Sequence, residues 1–321
     1  MPARRMEQNG MSRTTLTRDT LLEGQRPIPW REYLELCKPR VVMLLVFTAV
    51  VGMLLATPGM VPAATLVFGT LGIALVASSA AAMNQVLDRN IDAVMTRTRY
   101  RPLPTGQVTR GQALLFAAII GLLGLGVLWV LVNPLTAVLT FASLIGYAVI
   151  YTVYLKHATP QNIVIGGAAG AAPPVLGWTA VTGQLEPHAL LLFLIVFAWT
   201  PPHFWALAIH RRDEYATAGV PMLPVTHGVP YTRIQILLYT LLLFAVSVLP
   251  FATHMSGPLY LAGAVLLGAG FAYHAVMLLV SDDPGRPLRT FVYSIHYLMG
   301  IFGILLVDHY LPMLARLLVA I

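Results

Sequence analysis

The sequence predicts an all-α, polytopic membrane protein with about nine transmembrane helices, and three observations support this class. Of the 321 residues, 57% are apolar and only 10% are charged, whereas roughly a quarter of the residues in a soluble domain are charged. The mean hydropathy is +0.75. Apolar segments of about 20 residues, the length that crosses the hydrocarbon core as a helix, recur along the chain. Together these features exclude a soluble globule, which would need a larger polar surface.

The residue counts exclude further classes of protein. The single cysteine, Cys37, cannot form an intrachain disulfide, so the chain is not a disulfide-stabilised secreted domain. One thiol also cannot build a thiolate zinc site or hold an iron–sulfur cluster. The net charge of +7 is explained by basic residues that face anionic lipid at one membrane surface, and it does not indicate a nucleic-acid partner.

Nine apolar segments account for the predicted helices in order along the chain. Short breaks separate several of them, as at Thr57-Pro58-Gly59 and Asn133-Pro134, because proline, glycine and asparagine favour turns over continued helix. The third and fourth segments are so close that the count holds to about plus or minus one. The nine segments lie near residues 40–57, 64–87, 113–132, 134–155, 162–182, 188–208, 233–253, 258–280 and 291–312.

The distribution of basic residues predicts how these helices are oriented. With nine segments, 19 of the 20 Lys and Arg residues fall on one side of the membrane, and Arg316 falls on the other. Basic residues collect on the cytoplasmic side, so the N-terminus is predicted to be cytoplasmic and the C-terminus periplasmic. Residues 1–35 are predicted to be a disordered polar cytoplasmic tail, and residues 36–321 a single transmembrane domain. The predicted location is a bacterial inner (plasma) membrane.

Two long loops, near residues 88–112 and 209–232, carry most of the polar chemistry. In the first, Asp92 precedes a Leu-Pro step at Pro104, and in the second Asp213 precedes a Leu-Pro step at Pro224. Four predicted helices separate the two loops, as a parallel repeat requires. Both loops are therefore predicted to present acidic residues at the same membrane surface.

The first loop predicts a site for a metal ion and a diphosphate. Asn84, Asp88 and Asp92 are spaced at i, i+4 and i+8, so a helix would carry them on one face. Their oxygens suit Mg²⁺, which proteins commonly hold with one or two acids and substrate phosphates. Arginines, whose guanidinium groups match phosphate oxygens, follow at alternate positions. These are Arg97, Arg99 and Arg101.

Five stretches resemble motifs of the intramembrane aromatic prenyltransferase (UbiA-type) superfamily. They are Cys37-Lys38-Pro39-Arg40, the run from Asn84 to Gly106, the run from Thr159 to Gly170, Trp199-Thr200-Pro201-Pro202-His203-Phe204-Trp205, and Ala218-Gly219-Val220-Pro221-Met222-Leu223-Pro224-Val225. The resemblance extends from about Leu36 to His309, and the last two stretches resemble the haem-modifying branch of the superfamily. It implies a ring of nine helices whose active site opens to the cytoplasm.

The resemblance also implies two metal-binding motifs and a tyrosine–lysine pair. The second metal motif departs from the superfamily's DxxxD pattern, because its acids here are Asp213 and Glu214. The tyrosine–lysine pair departs as well, since Tyr151 and Lys156 are five residues apart in place of four, and Tyr154 is an alternative partner for the lysine.

The implied site residues fall into three overlapping groups. Those implied in catalysis are Asn84, Asp88, Asp92, Asp213, Tyr151 and Lys156. Those implied in holding the metal are Asn84, Asp88, Asp92, Asp213 and Glu214. Those implied in substrate binding are Lys38, Arg40, Arg97, Arg99, Arg101, Arg211, Arg212 and His203.

The activity that the resemblance implies is Mg²⁺-dependent transfer of the farnesyl group of farnesyl diphosphate to a vinyl side chain of haem B, with addition of water. Haem is then a substrate and not a permanent cofactor. The implied partners are both substrates and the lipid bilayer, and docking of a haem A synthase is left open. Two alternatives remain. A related enzyme acting on a quinone precursor would be expected to have the missing DxxxD motif. A transporter would be expected to place ionisable groups near the bilayer midplane, whereas the acids here cluster at helix ends.

Overall fold

The computed structural model describes residues 30–319, with side chains up to residue 313, and this part of the chain is helical without β-strands. Gly146–Leu155 forms a π-helix. The α-helices are α1 (Trp30–Leu36), α2 (Pro39–Leu55), α3 (Ala63–Leu87), α4 (Arg89–Val94), α5 (Arg110–Leu131), α6 (Pro134–Ile145), α7 (Lys156–Ala158), α8 (Asn162–Ala171), α9 (Pro173–Thr182), α10 (Pro187–His210), α11 (Arg212–Thr217), α12 (Leu223–Thr226), α13 (Gly228–Ala252), α14 (Pro258–Val280) and α15 (Arg286–Val319).

The described residues contain up to nine membrane-spanning segments. Eight are helices long and apolar enough to cross a bilayer, and the ninth is the pair α1–α2, which is bent by 56°. Two of the eight are composite, because α6, the π-helix and α7 form Pro134–Ala158, and α8 and α9 form Asn162–Thr182. The predicted all-α polytopic fold is confirmed, while the sides on which the termini lie stay a prediction.

Helix α1 begins inside the segment 1–35 that the sequence predicts to be disordered. Residues 1–29 of that segment lie outside the described residues, but the last part is helical. Leu36 is fully buried, and the ring of Tyr33 packs against Phe116 of α5 with 4.9 Å between centroids. These apolar contacts with the bundle explain why the helix forms where composition indicates only a polar tail.

The spanning helices form a ring of neighbours. Helix α3 packs against α5, α10 against α13, α13 against α14, and α14 against α15. Helix α15 returns to α2, where the Tyr310 hydroxyl donates to the Leu54 carbonyl at 2.8 Å and His309 Nε2 lies 2.9 Å from the Thr57 carbonyl oxygen. The last span therefore joins the first at the C-terminal end of α2.

The centre of the ring is filled at the C-terminal end of α2. We call this end of the bundle the closed end, and we define it by the contact of Gly52 in α2 with α9. There the two helices touch backbone to backbone. A Cβ atom at Gly177 would stand 2.7 Å from the Ala49 carbonyl carbon, and one at Gly52 would stand 2.8 Å from the Pro174 carbonyl carbon. Buried apolar residues such as Trp178 surround the contact. The middle of the bundle is consequently closed on this side.

The two long loops cover the opposite end, which we call the loop end (residues 88–109 and 211–227). Met95 of the first loop is buried in one apolar cluster with Tyr215 and Met222 of the second. The loops therefore meet over the same end of the bundle, in agreement with their parallel layout in the sequence.

Candidate active site

The three polar residues of the first motif lie together at the loop end: Asn84 in α3, Asp88 at the junction of α3 and α4, and Asp92 in α4. The helical backbone pattern continues between these helices, because the Asp88 N–H bonds to the Asn84 carbonyl at 2.9 Å and the Asp92 N–H to the Asp88 carbonyl at 2.8 Å. Their side chains share one face, and only 3%, 5% and 4% of Asn84, Asp88 and Asp92 are exposed. Burying carboxylates is costly unless they are paired, so their partners define the site.

Two cationic side chains pair with these carboxylates. Lys156 Nζ lies 2.7 Å from Asp88 Oδ1, and Arg101 Nη1 lies 2.7 Å from Asp92 Oδ2. All four side chains are at least four-fifths buried. Because water is largely excluded, these pairs interact more strongly than surface ion pairs do.

A third cation reaches the same face from the bend between α1 and α2. The Lys38 ammonium donates to Asn84 Oδ1, and Asn84 Nδ2 donates to Asp88 Oδ2 at 2.9 Å. We call the connected set the charged cluster; its members are Lys38, Asn84, Asp88, Asp92, Arg101 and Lys156. With three cations and two carboxylates, the ionised cluster carries a net positive charge, which suits an anionic ligand.

The π-helix places two tyrosines beside this cluster. In a π-helix the backbone bonds join residues five apart, and the Lys156 N–H accordingly bonds to the Tyr151 carbonyl. Thr152 Oγ1 accepts from Asn84 Nδ2 at 3.1 Å, and the ring of Tyr147 stacks on that of Tyr151 with 5.7 Å between centroids. The five-residue spacing of Tyr151 and Lys156, a departure from the superfamily pattern, equals the interval that the backbone hydrogen bonds of this helix span.

The structure favours Tyr151 over Tyr154 as the tyrosine of this site. Tyr154 is 65% exposed, whereas Tyr151 packs inward against α8. A Cβ atom at Gly166 would overlap the Tyr151 ring, and one at Gly167 would stand 3.1 Å from Thr200 of α10. Both glycines therefore serve close packing of α8 against its neighbours.

An apolar cavity of about 340 Å³ lies beside α8 and the start of α10, and its lining contains no member of the charged cluster. Its lining includes Gly146, the residue before Tyr147, together with Ala168 and Ala169 of α8 and Phe193 of α10. Gly166 and Gly167 of α8 thus pack closely against neighbouring helices, whereas Ala168 and Ala169 line this apolar space.

The second motif makes contacts of its own, apart from the charged cluster. Glu214 Oε1 pairs with Arg211 Nη1 at 3.1 Å, and Asp213 is exposed. Arg212 Nε donates to the Pro224 carbonyl at 3.1 Å, which ties α11 to α12. Within residues 30–313, no three His, Cys, Asp or Glu side chains come together as a multi-carboxylate metal site requires. The metal-binding role of Asp213 and Glu214 stays a prediction.

One buried phenol lies next to the second motif. Tyr215 is 6% exposed, and burial raises the pKa of its hydroxyl, an effect that the guanidinium groups of Arg97 and Arg211 oppose. The phenol is therefore neutral near pH 7 and available as a hydrogen-bond donor.

The other basic residues that the sequence implies in substrate binding differ in exposure. Arg40, Arg97 and Arg99 are exposed, and Arg99 Nη2 donates to the hydroxyl of Tyr100 at 2.6 Å. Of the three alternating arginines, Arg101 is the one whose side chain contacts the first motif in the described part of the chain. Turns over residues 95–101 replace the extended backbone that would have aligned all three.

His203 of α10 lies in an aromatic sandwich against α15. Its ring stacks on Trp199 with 4.1 Å between centroids and on Phe291 with 4.6 Å. His203 Nδ1 lies 2.6 Å from Ser294 Oγ, and Ser294 Oγ donates to the Phe291 carbonyl at 2.6 Å. The serine has only one proton, so with its bond to the Phe291 carbonyl in place Nδ1 carries the hydrogen of the imidazole. The lone pair is then on Nε2, which makes no hydrogen bond with the described residues.

The charged cluster contains oxygen donors of the kind that Mg²⁺ prefers. Asp88, Asp92 and the amide oxygen of Asn84 lie on one buried face, so these residues fit the ion. Each now bonds to a cation. Metal binding would therefore require the cations to take other partners, which an anionic diphosphate would provide.

Thr152 and Tyr147 belong to the site although the sequence analysis did not identify them. The available signals were the tyrosines at i and i+4, residues 147 and 151, and the unusual five-residue interval to Lys156. Neither signal reveals a π-helix, because hydrophobic periodicity does not report which backbone groups bond.

Comparison with protein-family models matches residues 45–302 to the UbiA prenyltransferase family. This match covers most of the chain, so the protein belongs to that family, as the sequence motifs predict. Solved structures agree in fold. A structure of digeranylgeranylglyceryl phosphate synthase in membranes aligns with a TM-score of 0.74 at 18% identity, covering 87% of this chain and 98% of that one. A UbiA homologue from Archaeoglobus fulgidus bound to DMAPP and Mg²⁺ aligns with a TM-score of 0.58 at 16% identity, covering 85% and 99%.

Relatives with much higher identity share one name. The protoheme IX farnesyltransferase of Teredinibacter turnerae is 62% identical over 284 residues, covering 88% of this chain and 91% of the relative. That of Marinobacter nauticus is 64% identical over 283 residues, covering 88% and 94%. The similarity therefore extends over nearly the whole of both relatives.

Proposed function

We propose that this protein transfers the farnesyl group of farnesyl diphosphate to a vinyl side chain of haem B with addition of water, which gives haem O and diphosphate. The observation that carries the proposal is the charged cluster, where two buried carboxylates and three cations meet at one end of an apolar ring. This composition suits metal-assisted binding of a diphosphate. The two relatives named protoheme IX farnesyltransferase support the choice of substrates.

The metal proposed for this site is Mg²⁺. The Archaeoglobus fulgidus homologue bound to DMAPP and Mg²⁺ supports this choice, and Asn84, Asp88 and Asp92 are the residues that would hold the ion. When bound, the ion would neutralise charge on the diphosphate oxygens.

The cations of the cluster have the complementary role. Lys38, Arg101 and Lys156 bind the diphosphate oxygens, and this interaction strengthens as negative charge develops there. It therefore lowers the barrier to breaking the bond between farnesyl C1 and oxygen. When this bond breaks, its electron pair stays on the diphosphate.

The farnesyl group is then attacked by the haem vinyl group. The vinyl π electrons form the new bond to farnesyl C1, and the positive charge moves to the vinyl carbon next to the porphyrin ring. That carbon binds a water molecule, and the bound water then loses a proton, which completes the hydroxyethylfarnesyl group. No covalent protein nucleophile is required. The paired side chains of the charged cluster are at least four-fifths buried, which limits the access of water while the allylic cation exists.

We further propose that the protein lies in a bacterial inner membrane with the charged cluster facing the cytoplasm. The support is the segregation of basic residues, which places both long loops on the cytoplasmic side. A haem A synthase, which would consume the product, is the protein partner that this function implies.

The direct test is to incubate purified protein with haem B, farnesyl diphosphate and Mg²⁺ and to analyse extracted haem by mass spectrometry. The expected product is heavier than haem B by one farnesyl group and one hydroxyl group. EDTA should stop the reaction, and added Mg²⁺ should restore it. Prenylation of an aromatic quinone precursor in the same assay, with haem B unchanged, would contradict the proposal.

His203 is proposed to orient haem B, because its Nδ1 is held by Ser294 while Nε2 keeps a lone pair for haem iron or a propionic acid group. Replacing His203 by alanine is expected to raise the KM for haem B about tenfold and to change the KM for farnesyl diphosphate by less than about twofold. Steady-state kinetics and optical titration with haem B measure both effects.

The control for this prediction is Trp199→Phe. Trp199 Nε1 donates to the Ser294 carbonyl at 2.7 Å, so the substitution weakens the same contact between α10 and α15 and leaves the imidazole in place. If both variants lose thermal stability and neither changes the KM for haem B, His203 has only a structural role.

A further inference from the structure

The bend between α1 and α2 has a local conformation that its own sequence does not favour. Lys38 has φ 49° and ψ 61°, in the left-handed region, which is unfavourable for a residue with a side chain because its Cβ atom crowds the following carbonyl oxygen. It also precedes Pro39, and a residue before proline prefers extended backbone. Such a conformation persists only where the surrounding structure holds it.

Gln85 of α3 holds the chain on one side of this bend. Its side-chain Nε2 donates to the carbonyls of Glu35 and Leu36, at 2.9 Å and 3.1 Å. These carbonyls belong to the last turn of α1, whose final carbonyl groups have no partners within the helix. The Glu35 carbonyl also accepts from the Lys38 N–H at 3.1 Å. Leu36 is fully buried beside this contact, so the end of α1 is fixed against α3.

The neighbouring residue of α3 holds the other side of the bend. Asn84 Oδ1 accepts from the Lys38 ammonium. Two consecutive amide side chains therefore fix the backbone just before Lys38 and the end of its side chain. No residue within α1 or α2 supplies either contact.

The hydrogen bonds of Gln85 also show what this residue contributes. Gln85 is only 1% exposed, and its Oε1 is buried without a hydrogen-bond partner among the described residues. A buried acceptor without a partner destabilises the folded state, because it has lost its hydrogen bonds to water. The side-chain amide of Gln85 is thus oriented so that its nitrogen donates two hydrogen bonds while its oxygen has no partner. Both donated bonds go to the segment that ends in Lys38.

We propose that Gln85 is a positioning residue that holds Lys38 on the diphosphate side of the charged cluster. This inference rests on the proposed function, because it takes Lys38 as a ligand of the diphosphate. Without the Gln85 bonds, the bend relaxes towards the extended backbone that Pro39 favours, and the ammonium moves away from Asn84. Gln85 itself touches no substrate.

The test measures the affinity of the purified protein for farnesyl diphosphate with Mg²⁺ by isothermal titration calorimetry, without haem. Gln85→Met preserves size and removes the donor, and it is expected to raise the Kd about tenfold. Lys38→Met should raise the Kd at least as much. In the double variant, Gln85→Met should add less than about twofold to the effect of Lys38→Met, because the ammonium that it positions is already gone.

Asn133 provides a matched control at the closed end. Its Nδ2 donates to the carbonyls of Thr179 and Ala180 at 2.9 Å and 3.4 Å, so it is also an amide that bonds to the end of a helix. Asn133→Leu should lower thermal stability and leave the Kd unchanged.

A second variant covers the case in which Gln85→Met does not fold. Gln85→Asn keeps the amide but is too short to reach both carbonyls, so it should raise the Kd by a smaller factor.

Two results would overturn the inference: an unchanged Kd in the folded Gln85 variants, or effects of Gln85→Met and Lys38→Met that multiply in the double variant. Either result leaves the proposed function standing if the wild-type protein still converts haem B. A wild-type protein that binds farnesyl diphosphate but leaves haem B unchanged would instead contradict the proposed function alone.

Discussion

Asp88→Asn is expected to lower farnesyl transfer by about 10²–10³-fold, the size of loss seen when one preorganised charge-stabilising group is removed from an active site. Asp88 bonds to Lys156 through one oxygen and to Asn84 through the other, so its charge organises half of the charged cluster. The substitution removes a proposed metal ligand and leaves the Lys156 ammonium buried without its counter-charge. Initial rates of haem O formation at saturating substrate measure the loss. Asp92→Asn should behave in the same way, because Arg101 loses its partner.

Stability must be separated from turnover in this prediction, since a broken buried ion pair also destabilises the fold. Asp308→Asn provides the control. Asp308 accepts bonds from Ser256 Oγ and the Tyr260 N–H at the closed end, so its loss should lower the melting temperature without lowering turnover per folded molecule. If Asp88→Asn retains the turnover of the Asp308 variant, the first motif does not hold the metal and diphosphate.

Gly177→Val is expected to have the largest effect on stability. A Cβ at this position would stand 2.7 Å from the Ala49 carbonyl carbon, and that carbon belongs to backbone, which cannot turn aside as a flexible side chain can. Helices α2 and α9 would have to separate, and overpacking of this kind costs about 3 kcal/mol or more. The melting temperature in detergent should fall by about 10 °C.

Gly170→Ala is the matched control for this prediction. Gly170 also lies in a helix, α8, but a Cβ there would meet no atom within 4 Å. Its replacement should leave the melting temperature unchanged or raise it slightly, because alanine is the better helix former. Equal melting temperatures for the Gly177 and Gly170 variants would show that the closed end tolerates separation of α2 from α9.

The sequence predicted those features that depend on local pattern. The span at 258–280 coincides with α14 because Gly257-Pro258 and the polar residues after Val280 mark its ends. The shared face of Asn84, Asp88 and Asp92 follows directly from their spacing. Contacts between distant parts of the chain were not predictable in this way. The bond between Lys38 and Asn84 joins residues 46 apart, and it depends on a strained bend that favourable local conformations would not indicate.

The alternating arginines show a second limit of sequence reasoning. Spacing at every second residue indicates one shared direction only if the backbone is extended. Residues 95–101 instead form turns, so Arg99 lies on the surface beside Tyr100 while Arg101 reaches Asp92. Tertiary contacts, including burial of Met95 and Leu103, determine this path.

The π-helix at Gly146–Leu155 has a consequence for comparing this chain with others. Deleting one residue between Tyr151 and Lys156 would allow the segment to return to α-helical geometry, in which residues four apart lie on one face. A homologue with an interval of four between its tyrosine and lysine should therefore align with a one-residue gap at this place. Such a gap would mark a change from π-helix to α-helix that keeps the tyrosine and the lysine on one face. An alignment forced through without the gap would pair Lys156 with the wrong residue and would hide the equivalence of the two sites.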